Sequence, residues 1–199
     1  MSKLDHDRIV DEAMRMIETD GEAGLSMRAL AAALNVTPMA LYRYFADRDA
    51  LLLALVVRVS ETLEFPERTG EPRADAATLA LALHDFLAHH PWMIRLISTG
   101  RLASPAGMRF PEGFLDCAKA AGLADEPAFL FYRTMLAAIL GTATITWAGQ
   151  AGAAPVLPDT SSVGPLPRVT HLAPSWAELD AAATPAAILG AIAATLPGS

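Results

Sequence analysis

Between Ser26 and Asp47 the chain starts a helix three times, a density of signals that leaves room for two short helices and the opening of a third. Ser26 is placed to cap the first, with Leu25 and Leu30 at the two positions of a hydrophobic staple. That helix should end near Leu34, because Asn35 can take the left-handed conformation a tight turn needs. Thr37 is placed to cap the second helix, Pro38 occupies its first turn, and Val36 and Leu41 form a second staple. Asp47 then opens a longer helix whose Leu51, Leu52, Leu55, Val56, Val59 and Leu63 lie on a stripe. Pro66, Gly70 and Pro72 are expected to end it, in an acidic connection that carries Glu61, Glu64, Glu67 and Glu71.

Helical spacing recurs through the rest of the chain and no alternating apolar and polar run marks a strand, so the expected fold class is all-α. A first helix is expected from about Asp5 to Asp20, with Ile9, Ala13, Met16 and Ile17 facing a core, Asp5, Asp7 and Asp11 at its positive end, and Gly21 as its stop. Later helices are expected near Ala74 to His90, Pro91 to Ser98, Pro111 to Ala121, Glu126 to Trp147, Trp176 to Ala182 and Pro185 to Leu196. Ser175 and Glu178 have the spacing of a capping box, and Thr184 with Pro185 opens the last helix. Between Trp147 and Trp176 five prolines, at 155, 158, 165, 167 and 174, predict a long mobile loop. A hydrophobic content of 53% over 199 residues suffices for a core in one elongated unit or in a small domain joined to a larger one. The pattern divides the chain at 1–50 and 51–199.

A net charge of −7 argues against a nucleic-acid partner, since phosphates must be neutralised by Lys and Arg. The distribution reverses that inference locally: from Ser26 to Arg48 the charges are Arg28, Arg43, Arg48 and a single Asp47. Two short helices joined by a tight turn, the second with small residues and a basic aromatic end, fit a helix-turn-helix that lays its second helix in the major groove. Ala29, Ala32, Ala33 and Ala40 let these helices approach, and Leu30, Leu34, Val36, Leu41 and Phe45 supply their shared core. Thr37, Pro38, Met39 and Arg43 then fall on the exposed part, where Arg43 can bond a guanine edge and Met39 or Ala40 can touch a thymine methyl. Taken singly, Tyr42 and Tyr44 also read as packing aromatics, and the arginines as an ordinary solvated surface.

The run LSMRALAAALNVTPMALYRYFADRDALLLAL, Leu25 to Leu55, closely resembles the DNA-binding signature of the tetracycline-repressor family. Helix lengths, the pair Leu41 and Tyr42, the aromatic pair Tyr44 and Phe45, and the basic residue opening the next helix all fall in register. The resemblance is strong over the first quarter of the chain and extends over the rest only as helical layout. It implies an N-terminal three-helix helix-turn-helix domain followed by a larger helical domain for ligand binding and dimerisation. It also implies DNA contacts from Arg28, Thr37, Pro38, Met39, Tyr42, Arg43, Tyr44 and Arg48, with Tyr42, Tyr44 and Arg48 on phosphates. Asn35 stands where this family commonly has glycine, and Tyr44 where it commonly has histidine.

The helix from Glu126 to Trp147 is apolar almost all round, so it must bury one side in its own domain and another against something else. The resemblance implies a four-helix homodimer interface built from it and the Pro185 to Leu196 helix. Phe86, Trp92, Met93, Leu96, Phe110, Phe114, Phe131, Tyr132 and Met135 are candidates to line an apolar effector cavity, and simple core packing explains each of them equally well. The uncharged stretch from Thr134 to Ala154 is long enough for a membrane span, but its threonines, glycines and Gln150 suit a buried helix and loop, so no membrane is expected.

His84, His89 and His90 lack the spacing that puts two ligands on one helical face and are read as solvated or capping, with no metal or cofactor expected. Tetracycline-binding relatives carry a histidine in the loop near the sixth helix; Ser98 to Phe110 has none, which argues against magnesium-tetracycline as effector. Cys117 is a lone core thiol, consistent with a reducing cytoplasm, and the N-terminus has no secretory signal pattern. The expected function is a ligand-released repressor on a near-palindromic double-stranded operator, not an enzyme. A helical carrier, or an enzyme acting on an apolar substrate, is the alternative, disfavoured by the lack of a nucleophile and base set in the sequence.

Overall fold

The structure is a computed structural model that describes residues 4–99, 104–150 and 164–198. Every regular element among these is helical: α1 (His6–Gly24), α2 (Met27–Ala33), α3 (Pro38–Leu41), α4 (Arg48–Ser60), α5 (Pro72–His89), α6 (Pro91–Ser98), α7 (Arg109–Ala120), α8 (Asp125–Gln150), α9 (Pro167–Leu172), α10 (Trp176–Ala182) and α11 (Pro185–Ala193). The expected all-α class therefore stands. Packing separates the chain into two compact units, residues 1–64 with 90–111 and residues 65–89 with 112–199. The boundary expected at residue 50 falls inside α4, which stays whole because Leu51, Leu52, Leu55 and Val56 are all in the core.

In the first unit α1 packs on α2, α4 and α6, and α2 packs on α3. Asp5 caps α1 by accepting from the Arg8 amide at 2.9 Å, so it precedes the helix rather than lying in it. Gly21 breaks the helix as expected, at φ 70° and ψ 175°, and one further turn follows to Gly24. α4 ends at Ser60, well before Pro66, because the Thr62 hydroxyl and amide both turn back onto the Val59 carbonyl. Arg58 on α4 fastens to α1 through Asp7 at 2.7 Å and Asp11 at 3.1 Å.

In the second unit α5, α8 and α11 pack against one another. α5 starts at Pro72, two residues earlier than expected, because the buried Asp75 collects the loop before it. Its carboxylate accepts from the Thr69 amide and hydroxyl, both at 2.7 Å, and from the Gly70 amide at 3.1 Å. Burial works against ionising Asp75, yet these bonds and the nearby Arg68 guanidinium outweigh it and hold the carboxyl below its ordinary range. Arg68 also reaches Asp116 on α7 at 2.9 Å.

Helix α8 has two faces. Phe131, Met135, Ile139 and Ala143 are buried, whereas Phe129, Leu130, Ile145 and Trp147 are 54%, 60%, 71% and 50% exposed. It is the one described helix long and apolar enough to cross a membrane, and a third of its most apolar window (33%) is buried within the protein.

Four expectations are corrected in this unit. The Ser175 and Glu178 capping box does not form: Ser175 lies after a 3-10 turn at φ −106° and ψ 7°, and its hydroxyl donates back to the Leu172 carbonyl. The stretch expected to be loop contains α9 and that turn; its middle, 151–163, lies outside the described residues. The last helix ends at Ala193, although Leu196 beyond it is still buried. His84 is not solvated. It is 3% exposed, its Nδ1 hydrogen donates to Asp85 at 2.9 Å, and Nε2 lies 3.2 Å from the Thr146 hydroxyl. His89 does cap, donating from Nδ1 to the Asp85 carbonyl at 2.7 Å.

Candidate nucleic-acid interface

The site is built from two short helices whose ends are closed by local chemistry. Ser26 accepts the Ala29 amide at 3.1 Å and starts α2 over the buried Leu25 and Leu30. At the other end Asn35 adopts φ 55°, its amide donates to Ala32 and the Val36 amide donates to Ala31. This is a Schellman closure with asparagine in the glycine position, an exchange that a short polar side chain tolerates. Thr37 takes the N-cap position of α3 without a hydroxyl cap bond, so Pro38, which needs no amide partner, carries the start. Asp47 caps α4 by accepting from the Ala50 amide at 2.8 Å.

Leu41 and Phe45, four residues apart, are 0% and 5% exposed and anchor the second helix to the core. Their burial turns Thr37, Pro38, Met39, Tyr42 and Arg43 outward. Met39 is 72% exposed. Arg28 is also exposed, and among the described residues neither Arg28 nor Arg43 has an ion-pair partner. The contrast within the unit is chemical. Arg15 is paired with Glu12, Arg58 with Asp7 and Asp11, and Arg48 and Arg95 with Glu22. Within this unit of an acidic protein, ion pairs thus neutralise Arg15, Arg48, Arg58 and Arg95, whereas Arg28 and Arg43 carry none among the described residues.

Two expected phosphate contacts have internal partners. The Tyr44 hydroxyl donates to the Leu4 carbonyl at 2.7 Å, and the His6 ring lies 4.7 Å from Phe45, so the residues that open α1 are stitched to the end of the second helix. Arg48 donates Nε to the Leu25 carbonyl at 2.9 Å and Nη2 to the Glu22 carbonyl and carboxylate at 2.9 and 3.0 Å, with Nη1 outside these contacts. Sequence reasoning missed Glu22 and Arg95, which meet across 73 residues that no local pattern connects.

The nine candidates for an effector cavity divide between the units: Trp92, Met93, Leu96 and Phe110 belong to the first, and Phe86, Phe114, Phe131, Tyr132 and Met135 to the second. Met93, Leu96, Phe110, Phe114, Phe131 and Met135 are buried in the cores of their units.

A capped helix pair over a shared core, with a cationic and apolar ridge left outward, defines a helix-turn-helix protein. The model for "Bacterial regulatory proteins, tetR family" matches residues 9–55, and that for "Tetracyclin repressor-like, C-terminal domain" matches residues 65–162. The chain belongs to this family of regulators. It is 32% identical over 121 residues to the HTH-type transcriptional repressor DrrR1 of Streptomyces coeruleorubidus, covering 60% of this chain and 45% of that protein. The chain spans about half the length of the curated relatives it matches. Among solved structures it is similar to BioQ with its double-stranded DNA operator, at 26% identity and a TM-score of 0.64 over 74% of this chain and 90% of that one. It is also similar to the Streptomyces coelicolor protein ActR in complex with (S)-DNPA, at 25% identity and a TM-score of 0.70 over 98% of each chain.

Proposed function

We propose that the protein is a ligand-released transcriptional repressor that binds a near-palindromic operator as a homodimer in the cytoplasm. The observation that carries this reading is the outward ridge from Thr37 to Arg43, with Arg43 and Arg28 unquenched in a protein that neutralises its neighbouring arginines. Arg43 reads a guanine edge, and Met39 with Ala40 meets a thymine methyl. Tyr42 and Arg28 hold phosphates, Arg48 adds Nη1 to a phosphate while its other nitrogens stay anchored, and Tyr44 contributes chiefly by fixing the end of the helix. The likeness to operator-bound BioQ supports this assignment of the surface.

The exposed face of α8, with α11 beside it, is the seam with a second copy rather than a lipid-facing surface. Two recognition helices are then presented to half-sites about one DNA turn apart. The effector is a largely apolar small molecule held in the helical region after α4, a reading supported by the likeness to ligand-bound ActR. α4 is the lever that carries the effector's influence to the DNA-reading helices, and a hundredfold loss of operator affinity needs a coupling of only about 2.7 kcal/mol. No catalytic role is assigned.

The test is selection of duplexes from a random pool, followed by binding of the selected duplex across a salt series. A repressor retains DNA with a steep salt slope and releases it to small molecules found by screening; a carrier or an enzyme retains none. Arg43→Ala should lose about 1–3 kcal/mol of discrimination at one base position. Arg28→Ala should weaken all sequences alike and reduce the salt slope by about one. Unchanged preference in the first variant and unchanged slope in the second would refute these roles.

A further inference from the structure

Glu22 stands at a crossroads of the first unit. The kink at Gly21 sets it at the end of α1, where its side chain is only 9% exposed. Arg95 on α6 grips its carboxylate with a two-pronged fork, Nε on Oε2 at 3.0 Å and Nη2 on Oε1. Arg48, the first residue of α4, reaches the same Oε1 and the Glu22 carbonyl through Nη2, and the Leu25 carbonyl just before α2 through Nε. The three side chains line a cleft of about 70 Å³ together with Asp49. A single carboxylate therefore joins the ends of α1 and α6 to the guanidinium that opens α4. The far end of α4 is tied to Ser104, whose buried hydroxyl donates to the buried Ser60 hydroxyl at 2.8 Å.

We propose that Glu22 is a positioning residue for DNA binding, and that Arg95 sets the strength of that binding by neutralising it. The proposal rests on the DNA-binding reading above. With Arg95 in place, the Glu22 charge is shared between two cations, and Arg48 is held in one orientation with Nη1 available to a phosphate. Without Arg95, the full carboxylate charge falls on Arg48 and opposes the approach of an anion. Arg95 acts here through charge on Glu22 and makes no phosphate contact itself.

The experiment measures binding of the duplex selected by the wild-type protein, by fluorescence anisotropy at several salt concentrations, for full-length variants whose thermal melts are recorded alongside. Arg95→Gln should weaken binding about fivefold per subunit with the wild-type salt slope, because a charge nearby is lost but no phosphate contact. Arg95→Lys, which keeps the charge and loses the fork, should recover most of the loss. Adding Glu22→Gln to Arg95→Gln should restore affinity to within about twofold of Glu22→Gln alone, since the charge that Arg95 neutralises is then gone. Arg15→Gln, a charge loss in the same unit outside this junction, should have little effect. Arg95→Gln binding as tightly as wild type, or losses that simply add in the double variant, would overturn the proposal while wild-type binding left the repressor reading intact. A wild-type chain that holds no duplex would overturn both.

Discussion

Ile145 offers the sharpest test of the dimer seam, because it is 71% exposed on a helix whose opposite face is buried. Full burial of such a side chain contributes about 1.5–3 kcal/mol, so covering the exposed share contributes about 1–2 kcal/mol. A two-fold interface uses the residue twice, which makes about 2–4 kcal/mol per dimer. Ile145→Glu forfeits that burial and adds the cost of desolvating a charge, so the dimer dissociation constant should rise at least about 30- to 700-fold. The subunit itself should be spared, since the side chain contributes little to its own core. Ile139→Ala, at 0% exposure six residues earlier on the same helix, should instead lower subunit stability by about 2–5 kcal/mol. Sedimentation velocity across a dilution series, with thermal melts of each variant, separates the two effects. An Ile145→Glu protein that sediments as wild type at every concentration would refute the assignment of this face.

Acid stability of the second unit should depend on Asp75. Its carboxyl is held below the ordinary value in the folded chain, so its contribution is complete above the unfolded pKa and fades as pH falls through the lower folded one. Asp75→Asn should remove that part of the acid dependence, and at neutral pH Asp75→Ala should cost about 2–4 kcal/mol by orphaning the Thr69 and Gly70 donors; an unchanged acid transition in urea titrations from pH 3 to 7 would count against it. Burial pushes the Cys117 thiol up, so a thiol reagent at pH 8 should label it only as the protein unfolds. Rapid labelling of the native protein would contradict that packing. Asn35→Ala should destabilise the first unit by about 1–2 kcal/mol because alanine is strained at φ 55°, whereas Asn35→Gly should be close to neutral. Equal melting temperatures for the two variants would show that the turn is not held in this conformation.

The sequence by itself determined the helix starts and the tight turn of the reading unit. Ser26, Asp47, Thr184 and Asn35 act on backbone groups within four residues of themselves, so their geometry follows from local hydrogen bonding whatever surrounds them. It also determined which face of the second helix is outward, since Leu41 and Phe45 fix the inward one. Only the tertiary structure decided where Arg48 spends its donors, that Arg95 meets Glu22, and that His84 is buried against Thr146 62 residues away. Periodicity tells a charged or polar side chain which way to face but not which distant partner it finds, because a long-range ion pair is chosen by how helices pack. For the same reason the arm 90–111 joined the N-terminal helices rather than the region that surrounds it in sequence.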